Sequence, residues 1–384
     1  MAKQMDTGWT RQQIDRLMDA LGVAGILRDV GQATYEMHPL LTSYLRSRGD
    51  AAEPCQHAFV DVMAGLADTL APLELHEQRV PFLLHGANLH FALALAERLL
   101  MDQDFAALIQ CLAQYALHSR NFEEASRLFA RLAVHHASRG DSEGESGAYH
   151  QLGVVAEDQR DFAAARDWYL KSLVIEEKRG SQEGVAVSYH QLGLLAQEQR
   201  DFGAAQEWYL KSLAIVERQG PEAGAAAYHQ LGRVAEEQRD LGTAREWYLK
   251  SLAIKEKEGD LPGAASTYNQ LGNVAGLQGD FAAARGWYLK SLAIKEKQGD
   301  LHGAAGTYGN LGILAGMQGS VEASGRWLTR CIAAFLRTDD QHAADRNVRS
   351  FLRFHRDASP ADKQKLEAIW RDANLGPFPT EPNE

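Results

Sequence analysis

The chain has 384 residues, with 40 basic and 51 acidic side chains, a net charge of −11 and 45% hydrophobic residues. That acidity makes nucleic acid a poor partner, no apolar run is long enough to span a bilayer, and the N-terminus lacks a signal-peptide core. Cys55, Cys111 and Cys331 are odd in number and stand at no metal-ligand spacing, which points to no metal centre and to a reducing cytoplasm.

In chain order, residues 1–50 form a small module of their own. Trp9 to Leu21 predicts a helix, Gly25 to Val30 and Ala33 to Met37 two short strands around Gly31, and Pro39 to Arg48 a second helix started by proline. Six basic and six acidic residues there argue against a DNA-reading surface. Residues 51–145 predict helices over Gln56 to Leu70, Pro81 to Leu100, Phe105 to Ser119 and Phe122 to Ala137. The last pair is a worn copy of the unit repeated in residues 146–335, since Phe122, Ala125 and Leu128 stand 40 residues before Phe162, Ala165 and Trp168.

Residues 146–335 hold five copies of one unit. Tyr149-His150-Gln151-Leu152-Gly153 returns at Tyr189, Tyr228, Tyr268 and Tyr308, in steps of 40, 39, 40 and 40 residues. Fifteen residues after each closing glycine stands Trp168, Trp208, Trp247, Trp287 or Trp327. Each unit predicts two amphipathic helices, about Gly147 to Gln159 and Phe162 to Lys178 in the first. Asp161, Asp201, Asp240, Asp280 and Ser320 are placed to cap the second helices, and Gly180, Gly220, Gly259 and Gly299 to end them. Gly153 and Ala165, with their copies, mark a close approach of two helices. The tryptophans are expected to pack as core against the following unit, and Lys171, Lys211, Lys250 and Lys290 to form a solvated outer row with helix ion pairs. In residues 336–375, Gln341 to Arg356 and Pro360 to Asn374 predict two helices capping the stack, and residues 376–384 a disordered tail.

This pattern resembles the tetratricopeptide repeat, with Leu152-Gly153 as its Leu-Gly pair and Tyr149, Phe162, Ala165 and Tyr169 on its signature positions. The common unit has about 34 residues; one of about 40 is similar to the longer repeats of kinesin light chains. The resemblance implies an all-α fold, a right-handed superhelical solenoid of helix-turn-helix repeats, here preceded by a small winged-helix-like module. That module resembles the winged-helix end of STAND-type signalling ATPases, which include the NB-ARC proteins: Met37-His38 matches their Met-His-Asp motif, with Pro39 in place of the acid. His38 is then the candidate nucleotide-sensing residue, or else it only ends a strand and caps the next helix. The stretch from His85 to Leu93 resembles the Asn-Leu-x-x-Ala-Leu segment that comes after this module in STAND proteins. No Gly-x-x-x-x-Gly-Lys-Ser/Thr loop occurs, so no cofactor is expected in this chain, and ATP or ADP only with an upstream ATPase domain.

Carried over from the family, the first helices line a concave groove. The candidate ligand residues are His150, Glu157, His190, Glu198, His229, Arg233, Glu236, Asn269, Asn273, Leu277, Gly309, Ile313 and Met317. The early units are rich in histidine and acid and the late ones small and apolar, which suits an extended peptide or protein edge, basic toward the first units and apolar toward the last. The histidine row is either groove lining or a solvated position copied by duplication, and the late glycines either leave room for a partner's backbone or belong to a terminal unit that binds nothing. No catalytic or metal set stands out. Three functions are open, in this order: a protein- or peptide-binding sensor belonging to a STAND-type ATPase, a free-standing adaptor without a switch, and an enzyme using the groove.

Overall fold

The computed structural model describes residues 11–24, 27–31, 34–37 and 53–379. Two compact units are present, Met1–Ser181 and Gln182–Glu384. The first begins with helix α1 (Arg11–Val23) and an antiparallel hairpin of β1 (Leu27–Gly31) and β2 (Thr34–Met37), in which Leu27 faces Met37 and the register shifts between Asp29 and Gly31. This agrees with the expected helix and strands, whereas His38 and the helix expected over 39–48 lie outside the described residues.

Helical pairs fill the rest of this unit: α2 (Glu53–Leu70) with α3 (Leu75–Leu99), α4 (Asp102–His118) with α5 (Phe122–Ser138), and α6 (Ser142–Asp158) with α7 (Phe162–Arg179). Pro81 was expected to start α3 but lies inside it, because Glu74 and Glu77 close a capping box that begins the helix at Leu75. The worn repeat is structurally complete. Phe129 and Ala113, both fully buried, stand where Tyr169 and Gly153 stand 40 residues later. Helix α6 starts a turn before the expected Gly147, since Asp141 accepts from the Gly144 amide at 3.0 Å and the extra turn is too polar to betray itself by periodicity.

The second unit stacks five pairs: α8 (Gln182–Glu198) and α9 (Phe202–Gln219), α10 (Ala225–Glu237) and α11 (Leu241–Glu258), α12 (Leu261–Leu277) and α13 (Phe281–Gln298), α14 (Leu301–Met317) and α15 (Val321–Arg337), α16 (Gln341–Asp357) and α17 (Pro360–Asp372). The caps fall as expected for Asp161, Asp201, Asp240 and Asp280, each accepting one backbone amide at 3.0 to 3.1 Å; Ser320 makes no such bond. Gly180, Gly259 and Gly299 end their helices in the left-handed conformation. At Gly220, where the repeat step drops to 39 residues, a short 3-10 turn over Pro221–Gly224 replaces the start of the next helix.

Within four of the pairs one contact recurs. A Cβ on Gly193, Gly232 or Gly272 would come within 2.5 to 2.6 Å of the ring of Tyr209, Tyr248 or Tyr288, and one on Gly153 would run into the ring of Tyr169. These tyrosines are almost wholly buried, so the glycine is what lets the two helices close on a ring. The tryptophans are partly buried and stack on the tyrosine of their own unit's first helix, at 5.5 Å for Tyr228 and Trp247, rather than only against the following unit. The lysine row is exposed, as expected, but its contacts differ from expectation. Lys171, Lys211, Lys250 and Lys290 place their ammonium groups 3.9, 4.1, 4.3 and 4.7 Å from the centres of Trp168, Trp208, Trp247 and Trp287, so they cover aromatic rings instead of pairing with glutamates. At the C-terminus, the disorder expected from residue 376 is absent at Phe378. Its ring packs 4.8 Å from His355 and 5.9 Å from Trp370, whose indole N–H donates to the Gly376 and Pro377 carbonyls.

Candidate functional site

The first unit contains two of the candidate residues, His150 and Glu157. The His150 ring is half-buried and tilts against Tyr169 at 5.5 Å between centres, and burial lowers its pKa. The Tyr169 hydroxyl donates to Glu157 Oε2 at 2.7 Å. Tyrosine, glutamate and histidine therefore form one packed group, and the histidine is neither fully solvated nor free in an open groove.

In the second unit the same arrangement recurs and then changes. His190 lies 5.4 Å from Tyr209, whose hydroxyl donates to Gln197, while Glu198 is exposed. His229 lies 5.3 Å from Tyr248, whose hydroxyl donates to Glu236 Oε2 at 2.8 Å. Nδ1 of His229 is also 3.2 Å from Thr267 Oγ1, and buried Lys255 donates to that hydroxyl at 3.0 Å. Burial first, then the charges of Lys255 and Arg233, push His229 down to about 4. Burial likewise raises Glu236 above the usual carboxylate range, against the Tyr248 hydrogen bond. Arg233 itself donates to Gln230 at 3.2 Å.

One repeat further on, asparagines replace the acid and histidine. Tyr288 donates to Asn273 Oδ1 at 2.8 Å, and Asn310 Nδ2 lies 3.3 Å from both Asn269 Oδ1 and Asn273 Oδ1, tying α12 to α14. Beside these amides opens a cleft of about 700 Å³. Glu236, Asn273, Leu277, Ile313 and Met317 line it, all five from the sequence-derived set. Leu277, Ile313 and Met317 are 50%, 46% and 59% exposed, an amount of open apolar surface that a packed core does not leave. Arg200 and Arg239 also line it and were not singled out from the sequence, because they come just after the first helices instead of lying on their inner face.

Gly309 corrects the expectation. It is buried, and a Cβ there would meet Cys331 Sγ at 3.3 Å and Asn347 Oδ1 at 3.4 Å; over Gly316 the space is filled by the ring of Phe354. These glycines admit side chains of α15 and α16, not a ligand's backbone. Among the described residues, no three His, Cys, Asp or Glu are grouped to hold a metal, and no helix is long and apolar enough to cross a membrane.

The tetratricopeptide repeat profile matches residues 145–218, 184–257, 224–297 and 263–337, which together span half of the chain. The chain belongs to the tetratricopeptide repeat family. Family members of this kind serve protein–protein interaction, and the tetratricopeptide repeats here form the expected helical solenoid. Among solved structures, a signal transduction ATPase with numerous domains from Pyrococcus horikoshii, carrying a tetratricopeptide repeat sensor, is similar at TM-score 0.57 and 15% identity over 97% of this chain. The present chain spans 58% of that protein's length. BtubC from P. vanneervenii is similar at TM-score 0.48 and 21% identity, covering 62% of this chain and 92% of its own. A putative kinesin light chain from Podosopora anserina with nearly identical repeats has TM-score 0.43 and 18% identity, covering 49% and 93%. A search of curated proteins returned no match.

Proposed function

We propose that the tetratricopeptide repeats bind an extended peptide or protein segment in the cleft between Glu236 and Met317. The observation that carries this reading is the exposed trio Leu277, Ile313 and Met317 set beside the amides of Asn273 and Asn310. Apolar side chains of a ligand gain by covering the trio, while amide groups satisfy an extended backbone that has no partner of its own. The test is a peptide-display selection on the intact chain, followed by affinity measurements on Leu277→Asp/Ile313→Asp. Selected peptides should be apolar in part and should bind the double variant at least about 10-fold more weakly. Equal binding to both proteins would remove the cleft from the function.

The wider setting we propose is a STAND-type signalling ATPase in which these repeats are the sensor. The helix and hairpin ahead of the repeats, and the alignment with the Pyrococcus protein over 97% of this chain, support it. In that setting ATP or ADP would be held by an upstream domain, and His38 would face its phosphates. Blotting the native protein with an antibody against the repeats tests it: a species about twice the 42.4 kDa of this chain, or larger, is expected. A species of about 42 kDa would favour a free-standing adaptor.

A further inference from the structure

The turn between the two helices of a repeat has one backbone geometry and two residue choices. Its left-handed residue is Arg120 (φ 61°) and Arg160 (60°) in the first unit, and Arg200 (60°), Arg239 (64°), Gly279 (80°) and Gly319 (75°) in the second. Glycine adopts this conformation freely, whereas a residue bearing a Cβ is strained in it. The fold therefore accepts glycine at this point, and does so twice. Four times it carries arginine instead, which is the less stable choice for the backbone.

The surroundings of Arg200 and Arg239 give the side chain a reason to be there. Both are exposed and both line the cleft that holds Leu277, Ile313 and Met317. Some arginines elsewhere are held by carboxylates, Arg127 by Glu124, Arg131 by Glu97, Arg179 by Glu143 and Glu176, Arg326 by Glu322. Among the described residues Arg200 and Arg239 have no such ion pair. Glu236, their neighbour in the cleft, accepts from the Tyr248 hydroxyl at 2.8 Å and feels the charge of Arg239 without forming an ion pair with it. Glu237 stays exposed beside them, so the net local charge is balanced; what sets these two apart from Arg120 and Arg160, which stand on the same backbone, is that they line the cleft with the apolar trio.

We propose that Arg200 and Arg239 receive a carboxylate side chain of an extended peptide whose apolar residues cover Leu277, Ile313 and Met317. The inference rests on the cleft being the binding site and adds the ligand's polarity: acidic toward Arg200 and Arg239, apolar toward Met317. This reverses the basic end expected from the acids of the early repeats, of which Glu236 is engaged by tyrosine. Guanidinium groups suit this role because their planar fork matches a carboxylate.

The probes are two fluorescein-labelled pools of nine-residue peptides, each with two fixed leucines and, four residues before them, a fixed aspartate in one pool and asparagine in the other. The proteins are the wild-type chain, Arg200→Gly/Arg239→Gly, and Arg120→Gly as a control at the same turn in the other unit. The wild type and the control should bind the aspartate pool about 10-fold more tightly than the asparagine pool. The double variant should lose that preference, keep its affinity for the asparagine pool, and unfold at a temperature no lower than the wild type. Equal binding of both pools by the wild type would overturn the arginine assignment and leave the cleft reading standing. Binding of neither pool would overturn both. A lower unfolding temperature in the double variant would make the arginines structural and would also overturn the proposal.

Discussion

Replacing Gly232 with alanine tests the contact that spaces the helices of a repeat. Its Cβ would stand 2.6 Å from both Cδ1 and Cε1 of Tyr248, atoms of a ring with no exposed surface whose hydroxyl is tied to Glu236. Alanine in an open helix gains about 0.5–1 kcal/mol over glycine. Forcing a carbon into a packed core typically costs about 1–3 kcal/mol, and losing the Tyr248–Glu236 hydrogen bond adds about 1.5–3 kcal/mol where it breaks. The net expectation is destabilisation by about 1–3 kcal/mol. Gly286→Ala is the matched control: it lies exposed in α13 with no atom within 4 Å of its Cβ, and should stabilise by about 0.5–1 kcal/mol. Urea unfolding followed by circular dichroism would then move the two midpoints in opposite directions. If Gly232→Ala proved as stable as Gly286→Ala, the ring of Tyr248 would have to yield freely, and the reasoning from close approach would fail.

Two further outcomes come from buried groups, and one from the aromatic rows. With a folded pKa of about 4 against 6.5 unfolded, His229 leaves the unfolded chain binding a proton that the folded chain refuses between those values. Its contribution is full above pH 6.5 and is lost as pH falls to about 4, by up to about 3 kcal/mol; His229→Asn, the residue found at Asn269, should flatten stability measured by urea unfolding across that range. Burial raises the thiols of Cys111 and Cys331 to about 12, so a thiol reagent should label only Cys55 quickly in the native protein and all three after denaturation. Lys250→Met should lower stability by about 0.5–1 kcal/mol through loss of the cation over Trp247, and a Trp247→Leu background should abolish that difference in a double-mutant cycle.

Much of the fold was legible because each repeat has the same local needs. A capping aspartate, a terminal glycine, and a glycine and tyrosine that must meet recur at fixed spacing, and their repetition announces two helices per unit whatever the rest of the chain does. The cleft was partly legible through the resemblance: Asn273, Leu277, Ile313 and Met317 occupy, on successive first helices, the positions that line the groove in the tetratricopeptide family. Spacing along one helix does not say what another helix lays across it. Whether Gly309 was open or covered depended on Cys331 and Asn347, and Gly316 on Phe354, all from helices packed later in the chain. That the lysines cover tryptophan, that the histidines lean on tyrosine, and that Arg200 and Arg239 enter the cleft are likewise matters of which side chains meet. The sequence by itself determined the elements and their faces, since those are set by local backbone and periodicity; only the tertiary structure decided which faces are occupied, because occupancy depends on contacts between segments far apart in the chain.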